Sequence, residues 1–290
     1  MAGWHIGVIG GSGFYDPGDL DHAQEIAVAS PFGEPSGAVL TGSIGGVRFT
    51  FLARHGAGHR LAPDGIDYRA NIDVLKRCGV TDVLALSAIG SLDEAIAPGS
   101  FVAVDQFIDR TSGRVRSFFG EGIVAHVGLA DPVCPRLSAY AAAAARAAGA
   151  EVHNGGCYVA IDGPQFSTRA ESLMYRQWGA QVIGMTAMPE ARLAREAELP
   201  YALLAMVTDY DCWRDGETVD VAGIVRVMQG NAGRAREALR HLAAALPRDR
   251  APSAIDCALD DAILTPRAQW DGARTARLEA VLRRITQPRG

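Results

Sequence analysis

Two aspartates lie two residues apart in Thr208-Asp209-Tyr210-Asp211-Cys212-Trp213, after an apolar run that reads as a buried strand. Paired carboxylates can hold and move a proton, bind Mg²⁺, or cap the next helix. If the strand continues through them, both side chains point to one face. Four other strand ends carry complementary groups. The first runs into Gly10-Gly11-Ser12-Gly13, where glycines let the backbone approach an anion and Ser12 adds a hydroxyl donor. The second delivers Arg54-His55-Gly56, a planar fork of donors suited to phosphate beside an imidazole that can donate another hydrogen bond. The third is Ser87-Ala88-Ile89-Gly90-Ser91, small residues that let backbone N–H groups face a ligand. The fourth leads to Thr186, shortly before a helix opened by Pro189, and a helix N-terminus offers free N–H groups and partial positive charge. Gathered at one edge, these four ends form a phosphate cradle of neutral donors with a single fixed charge, Arg54.

Each group also has a plain structural reading. Gly10–Gly13 serves as a tight turn, Arg54 as a helix cap or the partner of a carboxylate, and Thr186 as a helix cap. The dinucleotide fingerprint G-x-G-x-x-G is absent, so no nicotinamide or flavin site is indicated. His55 and His59 stand four apart, but the interposed Glu of a zincin is missing and the loop is glycine-rich, which speaks against a metal.

Strands must position these groups. His5–Gly10, Val47–Ala53, Asp82–Ala88, Phe101–Val104, Cys157–Ile161, Gln181–Met185 and Tyr201–Thr208 are short apolar runs bounded by turn residues. Helical patterns alternate with them at Tyr68–Arg77, Arg136–Ala148, Pro189–Ala197 and Thr218–Leu246. Such alternation predicts an α/β fold around one sheet. The charged, proline-bearing stretch Pro247–Pro252 divides a main domain, 1–247, from a tail, 248–290, with one amphipathic helix over Asp271–Ile285. The tail is too short to fold alone, so it is expected to pack on the same domain or on a neighbouring subunit.

Composition narrows the function classes. The 290 residues are 48% hydrophobic and 21% charged, which excludes a disordered chain. No apolar run reaches membrane-spanning length, and the first residues do not read as a signal peptide. A net charge of −5 gives no footprint for nucleic acid. Five cysteines without a CxxC spacing indicate neither a disulfide framework nor a cysteine zinc site. A cytoplasmic protein with neither nucleic-acid nor membrane partners is expected.

Taken in order, Ile9-Gly10-Gly11-Ser12-Gly13, Ala53-Arg54-His55-Gly56, Ser87-Ala88-Ile89-Gly90-Ser91, Ile161-Asp162-Gly163-Pro164-Gln165-Phe166-Ser167-Thr168-Arg169-Ala170-Glu171, Gly184-Met185-Thr186-Ala187-Met188-Pro189-Glu190 and Thr208–Trp213 resemble the trimeric purine nucleoside phosphorylases, most closely their methylthioadenosine-cleaving branch. Each motif alone is weak, and six in order are specific. The resemblance runs from about residue 5 to about residue 245. It implies one α/β domain with a mixed central sheet and assembly as a homotrimer or hexamer. It further implies phosphorolysis of 5'-methylthioadenosine to adenine and 5-methylthioribose 1-phosphate, with phosphate as co-substrate and no metal or organic cofactor. By match, Ser12, Arg54, His55, Ser87, the Ala88 backbone and Thr186 hold phosphate, Met185 lies under the ribose, and Phe166 lies against base and sugar. Asp209 and Asp211 face purine N7 and the 6-amino group. His126 reaches the 5' substituent across a subunit interface, and Val221, Ile224 and Val225 line the methylthio pocket. Ser12 and Ser87 replace threonines common in the family and keep the hydroxyl. Gly184 stands where relatives often carry Asn.

The chemistry suits these roles. Adenine leaves readily only if the charge building on its ring is neutralised at N7, and a positioned acid supplies that proton. Asp209 is expected to hold it and Asp211 to be ionised. Relatives that cleave 6-oxopurine nucleosides, such as methylthioinosine or inosine, are the nearest alternative, but they typically carry Asn within this pair. A binding protein without catalysis is disfavoured by the full set of phosphate donors.

Overall fold

The computed structural model describes residues 3–11, 17–214 and 221–286 of the chain. In chain order the elements are β1 His5–Gly10, β2 Asp21–Ile26, β3 Val39–Ile44, β4 Val47–Ala53, α1 Tyr68–Arg77, β5 Asp82–Ser91, β6 Phe101–Val104, β7 Gln106–Asp109, α2 Pro135–Ala147, β8 Val152–Asn154, β9 Cys157–Ala160, α3 Arg169–Gln177, β10 Val182–Gly184, α4 Ala187–Glu196, β11 Tyr201–Asp209, α5 Val221–Ala245, α6 Gly272–Arg277 and α7 Glu279–Thr286. The strands form one mixed sheet flanked by helices. Its path is β2-β3-β4-β1-β5-β10-β9-β7, with β11 on β5 and the pair β6–β8 beyond it.

β5 is the branch point. Its first half runs parallel to β1 (Ile9 opposite Ala85), and most of its length runs parallel to β11 (Ala205 opposite Ser87). Its end turns to β10, antiparallel, through Gly90 and Ser91. Because β1, β4, β5 and β11 are parallel, their carboxyl ends collect on one edge.

Alternation along these strands splits the core into two layers. Val83, Ala85, Leu203, Val207 and Ile9 join Ile72 and Leu75 of α1 and Leu193 of α4. Leu84, Leu86, Leu204, Met206 and Val8 join Leu137 of α2 and Leu239 and Leu242 of α5. The tail lies on the first layer. Leu278, Val281 and Leu282 belong to that core, Arg284 pairs with Glu198 and Asp260, and the Trp4 indole donates to the Pro247 carbonyl (2.8 Å).

Several boundaries differ from the sequence expectation. β5 and β11 continue to Ser91 and Asp209, and the Asp271–Ile285 helix breaks at Leu278 into α6 and α7. Within the helix expected over Thr218–Leu246, residues 218–220 lie outside those described. β2, β3, β7, β8 and α3 had no sequence counterpart. No helix among the described residues is long and apolar enough to cross a membrane.

Candidate functional site

Register places the expected anion-binding groups side by side. Gly10 is opposite Ala53, and the Arg54 N–H donates to the Gly10 carbonyl (2.8 Å). Ser87 lies two residues beyond the Ile9–Ala85 pair, at the same height as Arg54. Ser87 is buried, and among the described residues its hydroxyl makes only a long bond to the Ala88 carbonyl (3.3 Å). Ser12 lies outside the described residues.

Arg54 is buried, and most of its fork is committed to the protein itself. Nε and Nη2 donate to the two Glu190 oxygens (2.8 and 3.0 Å), Nη2 also reaches the Ile9 carbonyl (3.3 Å), and Nη1 donates to the Leu86 carbonyl (2.9 Å). Four of its five N–H bonds therefore serve the fold, and one on Nη1 has no acceptor among the described residues. In this arrangement two nitrogens of the planar fork grip Glu190. Glu190 opens the regular part of α4 and also accepts from the Tyr201 hydroxyl (2.8 Å). Burial opposes the Arg54 charge, but Glu190 more than offsets it and holds the guanidinium firmly protonated.

His55 is half-buried and stacks on His59, with centroids 4.1 Å apart and planes 15° apart. Its Nδ1 lies 2.9 Å from the Leu61 carbonyl. A carbonyl only accepts, so Nδ1 carries the proton and neutral His55 presents a lone pair at Nε2. Desolvation lowers its pKa to about 4, helped by Arg54 and His59 and opposed by the Leu61 bond. His55 is thus an acceptor at Nε2, not the further donor expected from sequence. Among the described residues no cluster of three metal-ligating side chains occurs.

The start of α4 also differs from expectation. The Thr186 N–H makes a long bond to the Tyr158 hydroxyl (3.4 Å), so it points toward a neighbouring strand. The Thr186 side chain is buried and makes no capping bond. Met185 packs against Gly163. Its carbonyl, together with those of Met188 and Asp162, accepts from buried Arg114 (2.6, 2.7 and 2.8 Å).

The aspartates end β11 without continuing it. Asp211 has φ +53°, so the two side chains do not share a strand face. They converge beside Gly90 instead, where an added Cβ would lie 3.1 Å from Asp209 Oδ1 and 3.4 Å from the Asp211 Cβ. Asp209 accepts from the Thr208 hydroxyl (2.6 Å) and the Asp211 N–H (2.8 Å). Buried Asp211 accepts from Ser172 of α3. Desolvation pushes its pKa above the usual carboxylate range and the Asp209 charge adds to this, while Ser172 and the Cys212 N–H oppose it. Asp211 was expected to be ionised; its burial behind α3 works against that charge. Trp213 anchors the turn, donating to the Ser91 carbonyl (2.8 Å) with Arg176 over its ring (3.5 Å).

The remaining expected residues are mostly exposed or half-buried. Phe166 is exposed, Val225 is exposed and Ile224 half-buried at the start of α5, and the Val221 side chain lies outside the described residues. His126 is exposed; its backbone N–H donates to the Ala262 carbonyl (2.8 Å), and Ala125 bridges Ile263, so the tail fixes this segment. Among the described residues no hydrogen bond or ring contact ties the His126 side chain to the strand ends.

Sequence reasoning missed Glu190, Arg114, Tyr158 and Ser167. Glu190 and Ser167 stand inside motifs already singled out, and only their burial marks them. Among the described residues the Ser167 hydroxyl is buried without a hydrogen-bond partner, while its carbonyl accepts from Cys212 beside Asp211.

The family model described as the phosphorylase superfamily matches residues 5–244. The S-methyl-5'-thioadenosine phosphorylase of Cereibacter sphaeroides is 54% identical over 284 residues, covering 97% of this chain and 98% of the relative. That of Geobacter sulfurreducens is 49% identical over 280 residues, covering 96% and 97%. Among solved structures, a methylthioadenosine phosphorylase from an antarctic soil metagenomic library superposes with a TM-score of 0.92 at 43% identity, covering 96% of this chain and 99% of that one. A mutant adenosine/methylthioadenosine phosphorylase of Schistosoma mansoni in complex with methylthioadenosine gives 0.78 at 38% identity, covering 83% and 91%.

In phosphate-free protein His55 should stay neutral down to about pH 4, protonated at Nδ1. An imidazole ¹⁵N NMR titration checks this, and a midpoint near the ordinary 6.5 would contradict it. The folded value lies below the unfolded one, so the unfolded chain binds more protons and stability falls as pH drops from about 6.5 to about 4. Buried His5, also near 4, contributes with the same sign.

Proposed function

The chain belongs to the phosphorylase superfamily, and from that premise we propose that it cleaves 5'-methylthioadenosine with inorganic phosphate, giving adenine and 5-methylthioribose 1-phosphate. The observation that carries this reading is the convergence of the Arg54, Ser87 and Thr186 strand ends with an aspartate pair at the end of β11. In this role the enzyme is a pentosyltransferase serving purine and methionine salvage. Five free cysteines support a cytoplasmic location.

Phosphate sits among Ser12, Ser87, the Ala88 backbone, the Thr186 hydroxyl, the remaining Arg54 N–H and His55. Neutral His55 accepts from a protonated phosphate oxygen through Nε2. These groups orient the nucleophile with little chemistry of their own. One phosphate oxygen bonds to the anomeric carbon as the bond to purine N9 breaks. The electron pair passes to the purine, and a proton reaches N7 from Asp209. Asp211, beside Asp209 and Gly90, adds a negative charge that favours keeping the proton in this pair. Asp211, fixed by Ser172, accepts from the 6-amino group, and the free Ser167 hydroxyl bonds the same edge of the base. Met185 and Phe166 enclose the ribose and base, and Val221, Ile224 and Val225 the methylthio group. No metal or organic cofactor enters these steps.

Assembly as a homotrimer brings His126 of one subunit to the 5' substituent in the next. Its exposure supports this. Mixing inactive Asp209→Ala and His126→Ala proteins should restore part of the activity after subunit exchange. No recovery after demonstrated exchange would argue against a shared site.

Release of free base from methylthioadenosine and methylthioinosine should require phosphate and favour the 6-amino substrate. Asp209→Asn should lower kcat for methylthioadenosine about 100- to 10,000-fold. Asp211→Asn should narrow the kcat/KM ratio between the two nucleosides, because an amide can donate to a 6-oxo group. Undiminished base release without phosphate would overturn the phosphorolytic reading; an unchanged ratio would overturn the Asp211 assignment.

A further inference from the structure

β9 and β10 run parallel, with Tyr158 level with Val182 and Ala160 level with Gly184. The Tyr158 ring is fully buried and packs edge-on against Phe107 (centroids 5.7 Å). Its hydroxyl extends along the sheet to the end of β10. There a Cβ on residue 184 would overlap the hydroxyl oxygen and lie 2.7 Å from Cζ. A side chain at 184 and a phenol at 158 exclude one another, so Gly184 is the condition for the tyrosine's position. This accounts for the departure noted in the sequence: the volume that an Asn would occupy is filled from the neighbouring strand.

The phenol does more than fill space. Its oxygen accepts the Thr186 N–H in a long bond (3.4 Å), and the Ala187 N–H faces it as well, just before the regular part of α4. Thr186 is therefore held through its backbone by a strand and not by its own helix. Its side chain, making no cap, stays available to another partner. The same phenol lies within electrostatic reach of the Arg54–Glu190 pair.

We propose that Tyr158, in the room left by Gly184, is a positioning residue for phosphate: it fixes the Thr186 backbone so that the Thr186 hydroxyl faces the anion. The proposal rests on the phosphorolytic reading. It touches phosphate only through Thr186, so its loss should weaken phosphate binding and spare the nucleoside.

The test is steady-state kinetics on Tyr158→Phe, which removes one atom and keeps the ring. The phosphate KM should rise about five- to tenfold, the scale of one lost hydrogen bond, with nucleoside KM and kcat at saturating phosphate within about twofold. Thr186→Ala should raise the phosphate KM as well, and adding Tyr158→Phe to it should raise it no further, because both act through one contact. Gly184→Ala, which drives a Cβ into the phenol oxygen, should reproduce the Tyr158→Phe profile. An unchanged phosphate KM in Tyr158→Phe, equal rises in both KM values, or additive effects in the double variant would overturn the proposal. The wild-type control separates the two readings: wild-type protein without phosphate-dependent activity contradicts the function, whereas an active wild type with an unaltered Tyr158→Phe contradicts only the role of Tyr158.

Discussion

The buried ion pair between Arg54 and Glu190 sets the geometry of the strand-end edge. Both side chains are 3% exposed. Taking either ion out of water alone costs several kcal/mol, and attraction compensates only when the remaining donors and acceptors are satisfied. Here they are satisfied by one element after another. Arg54 follows β4 and donates to carbonyls of β1 and β5, while Glu190, from α4, accepts from Tyr201 at the start of β11. One pair of charges thus ties four parallel strands to the helix beside Thr186. Moving α4 would strand a charge in the core, so the phosphate edge and the start of α4 are fixed together.

That constraint has a chemical consequence. A guanidinium committed to a carboxylate adds little net charge to the edge, and a neutral His55 adds none. An anion there is bound by directed hydrogen bonds in a dry setting, where each donor counts for more than in water. The opposite end follows a related rule. Asp209 and Asp211 are brought together by a left-handed turn, Gly90 gives them room, and Ser172 and Trp213 hold the turn against α3 and β5. Between the two ends Arg114 draws Met185, Met188 and the Asp162 loop together.

Much of this was legible in the sequence because strands buried on both faces are short apolar runs, and the residue just past each run is a candidate site residue. β1, β4, β6 and α1 stand where their patterns put them, as do the polar groups that follow the strands. The missed elements lack such patterns. All six residues of β2 are exposed, β8 is three residues long, and α3 buries only Ser172 and Tyr175. Pairing was equally hidden. Arg54 and Glu190 are separated by 136 residues, and nothing local says that the arginine faces a carboxylate and not a ligand. Likewise Gly184 read as a missing side chain until its neighbour in the adjacent strand, Tyr158, was seen to fill the space. Types and order survive in one sequence; orientation and long-range compensation do not.

The most direct measurement is a crystal structure with inorganic phosphate bound. The expected result is a phosphate oxygen within hydrogen-bond distance of Arg54 Nη1 and another at the Thr186 hydroxyl, with the Arg54–Glu190 pair still closed. A guanidinium swung off Glu190 to grip phosphate with two nitrogens, or phosphate bound away from these strand ends, would contradict it.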